Sequence, residues 1–203
     1  MLIADILAVD QVLDSEQLDF ISRGRALNIW CSEELKLRVD LDLNLEAKEG
    51  LWRLSLRQID GNIMIYSLSF AFVDDALFIG AVQGSSSKEA AALIRQATKA
   101  THGLRPPFFL IEVLRALARK WNVKRIVGVD SQFQLKANKG SSDSERVHFD
   151  YAVFWADLGG SVNFEKNWDI PLIGLRRSLD DIESKKRAMY RRRYKLLDDL
   201  ETL

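Results

Sequence analysis

One stretch of alternating side chains constrains the fold most strongly. Residues 35–45, LKLRVDLDLNL, alternate apolar and polar side chains without a break. Successive side chains of a β-strand point to opposite faces, so this pattern predicts a strand with one buried face and one wet face. Such a strand must pair with others and pack its apolar face on a second layer, which predicts a domain that contains a sheet.

Three further strands are predicted after the first one. The segments 51–58, 63–73 and 76–84 alternate or are rich in β-branched and aromatic residues. The pair Asp60-Gly61 between the first two is a hairpin signal. The short connections predict an antiparallel meander.

The spacing of apolar residues then changes to that of helices. Ser86 and Glu89 form a capping-box pattern before EAAALIRQATKAT, which predicts a helix over 89–101. A second helix is predicted over 106–121 from its apolar stripe, with Asn122 as its terminating residue.

The remaining elements complete an α+β pattern. We expect a buried strand at 123–130, a polar loop at 134–146, a short helix at 148–160 and a last strand at 161–168. The fold class expected is α+β, with a mixed, mostly antiparallel sheet flanked by helices.

Length and composition bound the organisation. With 203 residues and 47% hydrophobic content, the chain is long enough for one well-filled domain over 1–203. Within it we expect a helical or irregular segment at 1–34, a core at 35–175 and a basic C-terminal helix at 176–203.

The location and metal content are also bounded by the sequence. A single cysteine excludes an internal disulfide, and no Cys/His cluster offers a metal site. No apolar run approaches the roughly 20 residues that span a bilayer, and the N-terminus does not resemble a signal peptide. We therefore expect a cytoplasmic protein without a transmembrane segment or a bound metal.

Positive charge is concentrated near the C-terminus, although the net charge is zero. Residues 176–195 hold nine Lys or Arg and three acids. We expect a helix from Ser178, with Asp180 and Asp181 at its positive end. Two interpretations stay open for it. The helix is a surface on which Arg191, Arg192 and Arg193 contact phosphates, or it is a docking helix, for which a homodimer is one arrangement.

The order of elements resembles the core of the GNAT acyltransferase superfamily. Residues 154–160, FWADLGG, stand where that superfamily has a motif of the form aromatic-Tyr-x-x-Leu-Gly-Phe. The resemblance implies acyl transfer from a phosphorylated donor, which enters between two strands that splay apart.

The sequence itself is similar to the bacterial VirK/YbjX family. Four blocks carry the similarity in the same order: FIGAVQG, ATHGLRP, YAVFWADLGG and SKKRAMYRRRYKLLDDL. They cover roughly residues 50 to 200. The family implies a link to envelope stress or virulence, without an activity to carry over, and its members are usually longer at the N-terminus.

A stretch before the second helix departs from the GNAT pattern. GNAT enzymes hold the pyrophosphate of coenzyme A on backbone N–H groups in a loop of the form Gln/Arg-x-x-Gly-x-Gly/Ala. Here residues 102–107 are HGLRPP, and the two prolines remove two N–H donors. Either Arg105, with His102, supplies side-chain charge to a modified anion site, or the prolines set the entry of a core helix and Arg105 pairs with a carboxylate.

Candidate catalytic residues follow from position and from the GNAT resemblance. Asp130 ends a predicted strand and is a candidate general base, or else a turn aspartate that caps a loop. Trp155 stands where the superfamily often has a tyrosine acid, so Tyr151, one turn earlier, is the candidate acid, or else a core residue. His102 is a further candidate.

Cofactor contacts are expected at two places. Gln83 and Gly84 end a strand before three serines, although a turn and helix cap is the other interpretation because the phosphate-loop lysine is missing. Arg105 and the three arginines 191–193 are the expected anion contacts. No cofactor is firmly implied, and coenzyme A or another acyl carrier is the group that the resemblance suggests.

Two functions are therefore expected. The first is an acyl- or aminoacyltransferase-like enzyme that uses acyl-CoA, an acyl-carrier protein or aminoacyl-tRNA as donor and an amine or hydroxyl as acceptor. The alternative is a non-catalytic anion-binding protein of envelope stress or virulence that acts through its C-terminal helix.

Overall fold

A computed structural model describes residues 12–45, 49–87, 89–133 and 149–203. The helices of these residues are α1 (Ser15–Ser22), α2 (Ala90–Ala100), α3 (Pro106–Lys120), α4 (Tyr151–Asp157) and α5 (Ser184–Leu200). The strands are β1 (Leu27–Ser32), β2 (Leu37–Leu43), β3 (Trp52–Gln58), β4 (Ile63–Val73), β5 (Ala76–Gly84), β6 (Arg125–Gly128), β7 (Ser161–Val162) and β8 (Trp168–Ile170). The predicted α+β class is confirmed. The loop predicted at 134–146 lies outside the described residues.

The strands of the described residues form one sheet in the order β1-β2-β3-β4-β5-β6-β8-β7. Neighbours are antiparallel except β5 and β6, which pair in parallel from Ala76 opposite Arg125 to Ile79 opposite Gly128. A parallel pair needs a crossover connection, which α2 and α3 provide. The sheet is thus mixed and mostly antiparallel, as predicted.

The strands predicted from alternation, β2 to β5, lie where they were expected, but the two ends of the sheet differ from prediction. β1 lies in the segment that was expected to be helical or irregular, and Trp30 is its one buried residue. The strand predicted at 161–168 is instead the hairpin of β7 and β8. The Asn163 side chain turns this hairpin by accepting hydrogen bonds from the backbone N–H groups of Glu165 and Asn167, both at 3.0 Å.

The wet face predicted for β2 is partly buried. Asp40 is 2% exposed. It pairs with Arg38 at 3.0 Å and accepts a hydrogen bond from Asn28 at 3.1 Å, so its charge is compensated. Alternation therefore predicts which side chains share a face, but not whether that face reaches water.

The apolar face of the sheet is covered by α3. Phe109, Leu110, Val113 and Leu114 are fully buried, and the Phe109 ring meets Trp30 of β1 edge to face at 5.0 Å. Asn122 follows the helix at a φ of 54°, while the N–H of Val123 bonds back to the carbonyl of Ala118 at 2.8 Å. The predicted helix terminator is confirmed.

The capping box predicted before α2 is wrong. The helix begins at Ala90 with Glu89 as its N-cap residue, and no side chain caps it. The backbone closes the preceding turn instead, because the N–H of Ala90 bonds to the carbonyl of Ser87 at 3.1 Å.

The C-terminal helix begins later than predicted. α5 starts at Ser184 rather than Ser178, so Asp180 and Asp181 precede it and its first turn contains no acid. Residues 171–183, which we call the strap, form an irregular segment between β8 and α5. The apolar side of α5 packs within the chain, where Leu196 and Leu200 are buried. These two leucines are therefore covered within the protein, and the homodimer stays a prediction.

One buried guanidinium joins α3 to the residue that follows α4 and to the start of the strap. Arg115 is 1% exposed. Its Nε donates to the carbonyl of Pro171 at 2.8 Å, its Nη2 donates to the carbonyl of Leu158 at 2.9 Å, and its Nη1 pairs with Glu112 at 2.6 Å. The charge is thus buried with partners for its donors, as buried arginine requires.

We predict that Arg115→Met lowers the free energy of unfolding by roughly 3 kcal/mol, because it leaves buried carbonyls and a carboxylate without their donor. Chemical denaturation measures this loss. Arg95→Leu, on the exposed side of α2, is the control and should change stability by less than about 0.5 kcal/mol. Equal effects of the two substitutions would contradict the tethering role of Arg115.

Candidate functional site

The two parallel strands separate after a short pairing. The backbone N–H of Val129 still bonds to the carbonyl of Ile79 at 2.9 Å, whereas β5 continues to Gly84 without further pairing to β6. The GNAT resemblance implies a donor that enters between two strands that splay apart, and β5 and β6 are a pair of strands that separates in this way.

Aromatic rings fill the space between the two strand ends. The cluster, which we call the aromatic wedge, has ring centroids 4.7 to 5.7 Å apart and consists of Phe108, Phe149, Tyr151, Phe154 and Trp155. A Cβ on Gly128 would lie 2.5 Å from the Trp155 ring, so glycine is required there. The Trp155 indole donates to the carbonyl of Val129 at 2.9 Å, which closes the end of β6.

Tyr151, the candidate acid, is part of this wedge and is 2% exposed. Its hydroxyl accepts a hydrogen bond from the backbone N–H of Val82 at 3.0 Å. β6 does not pair with this part of β5, so the Tyr151 hydroxyl provides a hydrogen-bond partner for the Val82 N–H. Tyr151 thus lies in the core, as the alternative interpretation of this residue expects.

Asp130, the candidate base, lies just beyond the end of β6. One carboxylate oxygen accepts from the Trp168 indole at 3.0 Å, and the other accepts from the N–H of Gln132 at 3.1 Å. Both oxygens therefore stabilise local structure, as expected if Asp130 is a turn aspartate that caps a loop. Asp130 follows Val129 at the end of β6, and Tyr151 binds Val82 near the end of β5. Both candidate residues therefore lie near the ends of the two strands that separate.

Arg105 and the end of β5 come together at the start of α3. The prolines that follow Arg105 are buried, whereas its side chain is 63% exposed, lies 4.5 Å from the Phe108 ring centroid and is 3.5 Å from Asp157. Gly84 lies against the ring of Tyr66. Burial raises the pKa of Tyr66, and the charge of Arg105 opposes that rise. Gln83 precedes Gly84 and pairs with Ser67.

His102 lies in the turn between α2 and α3, where it contacts α5. Its φ of 54° ends α2, and its carbonyl accepts two hydrogen bonds from Arg193, at 3.1 and 2.9 Å. Burial lowers the pKa of His102, the charges of Arg192 and Arg193 lower it further, and Glu34 acts in the opposite direction. His102 thus belongs with the C-terminal arginines. The other imidazole, His148, lies outside the described residues.

Five exposed cations of α2 and α5 form what we call the basic surface: Arg95, Lys99, Arg191, Arg192 and Lys195. Within the described part of the chain none of them has an ion-pair partner. Arg193 differs from its two neighbours, because its guanidinium is engaged by His102 and lies 4.3 Å from the Tyr190 ring centroid.

Sequence reasoning missed Arg95 and Lys99. They stand four residues apart on α2, so they share one face of the helix, and Lys99 lies one turn before His102. The spacing of Arg95 and Lys99 can be read from the sequence. Their relation to Arg192 cannot, because it depends on the docking of α5 at His102.

The described ranges contain neither a metal-binding cluster nor a membrane-spanning helix. They contain no group of three or more His, Cys, Asp or Glu arranged to hold a metal ion. None of the helices in these ranges is long and apolar enough to cross a bilayer.

Comparison with known proteins gives the family. A family model described as a protein of unknown function, DUF535, matches residues 1–203. The chain belongs to the DUF535 family. This is the VirK/YbjX family, so the resemblance stated from the four sequence blocks is confirmed.

The relatives carry little functional information. An uncharacterized protein of Haemophilus influenzae is 38% identical over 166 residues, which cover 81% of this chain and 55% of the relative. The uncharacterized protein YbjX of Escherichia coli is 30% identical over 174 residues, or 83% and 52%. Membrane protein LapB of Mannheimia haemolytica is 35% identical over 92 residues, or 45% and 41%. The DUF535 chain spans about half the length of these relatives, and no solved structure matches it.

We predict that Tyr151→Phe lowers the free energy of unfolding by about 1 to 2 kcal/mol, because the Val82 N–H loses its acceptor in a buried place. Tyr190→Phe, at a tyrosine that lies partly exposed on α5, is the matched control and should change stability by less than about 0.5 kcal/mol. Denaturation curves of both variants check this. A neutral Tyr151→Phe would mean that the hydroxyl does not close the strand end.

We also predict that Arg192→Ala raises the pKa of His102, because it removes a positive charge that disfavours the imidazolium form. The NMR titration is simple because the chain has two histidines. Lys124→Ala, which removes a cation beyond the far end of α3, should leave this pKa unchanged. An unchanged titration in Arg192→Ala would contradict the docking of α5 beside His102.

Proposed function

We propose that this DUF535 chain is an anion-binding protein whose ligand surface is the basic surface of α2 and α5. One observation carries the proposal: five exposed cations, on α2 and on the helix α5 that docks at the turn after α2, have no ion-pair partner among the described residues. Exposed cations without partners repel one another unless an anion is bound. We therefore infer that these cations bind a phosphate-bearing partner.

The order of charges along α5 supports the same function. Residues 184–195 hold seven Lys or Arg and no acid, whereas Asp198, Asp199 and Glu201 stand at the C-terminal end. A helix is stabilised by acids near its N-terminus and by bases near its C-terminus, so this order opposes the helix dipole. The α5 cations of the basic surface, Arg191, Arg192 and Lys195, lie beyond the first turn of the helix, so their own side-chain charge attracts an anion rather than the helix dipole.

The surface is also fixed before a ligand arrives. Arg193 holds α5 to the carbonyl of His102, and Tyr194 donates to the carbonyl of Arg177 at 2.8 Å in the strap. The backbone that carries the neighbouring cations therefore needs little ordering on binding, which favours affinity. One relative is named a membrane protein, and lipid phosphates are a source of such anions.

We predict that Arg191→Glu, Arg192→Glu and Lys195→Glu together weaken binding of inorganic polyphosphate about 100-fold, since each cation near an anionic surface contributes about 1 kcal/mol. The dissociation constant is measured across a NaCl series, in which wild-type affinity should fall steeply as salt rises.

The control for this experiment changes net charge equally at another place. Arg25→Glu, Lys120→Glu and Lys124→Glu replace three cations that lie outside the basic surface. This variant should bind polyphosphate within about threefold of wild type, because the distant charges are screened. The same loss in both triple variants would reduce the proposal to a net-charge effect, and weak, salt-independent binding by wild type would overturn it.

A second candidate function is acyl transfer on a GNAT-like fold. Its support is the sheet order together with one parallel strand pair, β5 and β6, that separates after Ile79 and Gly128. In this proposal a donor such as acyl-CoA enters between the strands, with Asp130 as base, Tyr151 as acid and Arg105 as anion contact. The aromatic wedge fills that entrance, so the donor must displace rings and replace the hydrogen bond of Val82.

The two functions are distinguished by acyl-CoA binding and by Asp130→Asn. Acyl transfer requires saturable binding of an acyl-CoA or a loaded carrier in calorimetry, and loss of product formation in Asp130→Asn with binding intact. Anion binding alone requires that the Asp130→Asn variant retain wild-type polyphosphate affinity. If no donor binds, the transferase candidate is overturned.

A further inference from the structure

We propose that the anion recognised beside the basic surface is the headgroup of a single-chain lipid, whose alkyl end occupies a cavity between α2 and the sheet. This inference rests on the proposed anion-binding function and adds the class of ligand. The ligand combines one phosphate group with an apolar tail.

The cavity has a volume of about 100 Å³ and opens to the surface. Its wall is formed by α2, by the turn between β1 and β2, and by residues of β2, β3 and β4. Six of the lining residues are apolar, namely Leu35, Leu37, Ile65, Leu93, Ala97 and Ala100, and three are polar, namely Lys36, Gln58 and Gln96. The two alanines provide the space, because a larger residue at either position would fill it. An engineered apolar cavity of about 150 Å³ holds benzene, so this cavity accepts the last few carbons of an alkyl chain.

Positive charge lies at the edge of this cavity. Lys36 is one of the residues that line the cavity, and Ala100, another of them, precedes His102 by two residues. The His102 carbonyl accepts hydrogen bonds from Arg193, so α5 docks next to the end of α2 that lines the cavity. The apolar cavity and the basic surface therefore adjoin at the C-terminal end of α2.

Acids are also present at this edge, and they limit the charge that the site offers. Glu33 lies 3.4 Å from the ammonium group of Lys36, and Glu34 is the acid that faces His102. The cations of the site are Lys36, Lys99, Arg192 and Arg193, so positive charge exceeds negative charge. This excess of positive charge suits one phosphate group, as in the headgroup of a single-chain lipid.

An amphiphile uses both features, whereas other anions use only one. Free phosphate gains nothing from the apolar wall, and a nucleic acid has no alkyl group to place in it. Each buried methylene contributes enough free energy that two of them raise affinity about tenfold. The tail therefore provides a measurable signature.

The test compares hexyl phosphate with inorganic phosphate on the whole chain by calorimetry. We expect hexyl phosphate to bind at least about tenfold more tightly. Ala100→Leu fills the cavity and should reduce that advantage to less than about threefold, while Ala91→Leu, on the exposed side of the same helix, should leave it unchanged.

A second variant guards against misfolding of Ala100→Leu. Gln96 is exposed at the rim of the cavity, so Gln96→Glu should fold normally and weaken hexyl phosphate by repulsion of the headgroup. Thermal melts of the three variants confirm that they are folded. Unchanged affinity in both Ala100→Leu and Gln96→Glu would overturn the inference.

The remaining outcomes separate the inference from the function on which it rests. Equal affinities of wild type for the two phosphates, with salt-dependent polyphosphate binding intact, overturn the lipid ligand and leave anion binding standing. Failure of polyphosphate, phosphate and hexyl phosphate alike overturns both. An RNA oligonucleotide that binds more tightly than hexyl phosphate and ignores Ala100→Leu would assign the surface to nucleic acid instead.

Discussion

The arrangement of the C-terminal third depends on the buried guanidinium of Arg115. Its donors hold the carbonyls of Leu158 and Pro171, which end the α4 region and begin the strap. Removing a charge from water is costly, so this guanidinium is stable only where carbonyls and Glu112 surround it. The same requirement fixes where the strap begins. The strap then leads to α5, which Leu196, Leu200 and the contact of Arg193 with His102 hold in place.

The candidate residues divide between two places that differ in their chemistry. At the end of β5 and β6, Tyr151 and Asp130 have hydrogen-bond partners that hold the strand ends together. At the α2–α3 turn, His102 lies beside arginines, of which Arg192 has no ion-pair partner among the described residues. A side chain with its polar atoms engaged stabilises a fold, whereas an exposed, uncompensated charge is available to a ligand. This contrast favours anion binding over acyl transfer.

Helix α5 shows how packing outweighs local electrostatics. Its charges oppose its dipole, and each unfavourable end charge costs about 0.3 to 1 kcal/mol when exposed. Burial of Leu196 and Leu200 offsets this cost, since a fully buried leucine contributes about 1.5 to 3 kcal/mol. The ion pair of Arg119 with Glu201 adds a link to α3. The helix is thus held by its apolar side, while Arg191, Arg192 and Lys195 stay exposed.

The sequence by itself determined the elements whose patterns are periodic and local. Alternation gave β2 to β5, the apolar stripe gave α3, Asn122 marked its end, and the four sequence blocks gave the family. Local sequence rules failed at the start of α2, where no side chain caps the helix, and at the start of α5, which begins at Ser184 rather than Ser178. The tertiary structure alone decided which side chains meet: Tyr151 with Val82 across 69 positions, and Arg193 with His102 across 91. Such contacts depend on how helices and strands pack in space, and no periodic pattern along the chain encodes a partner so distant in sequence.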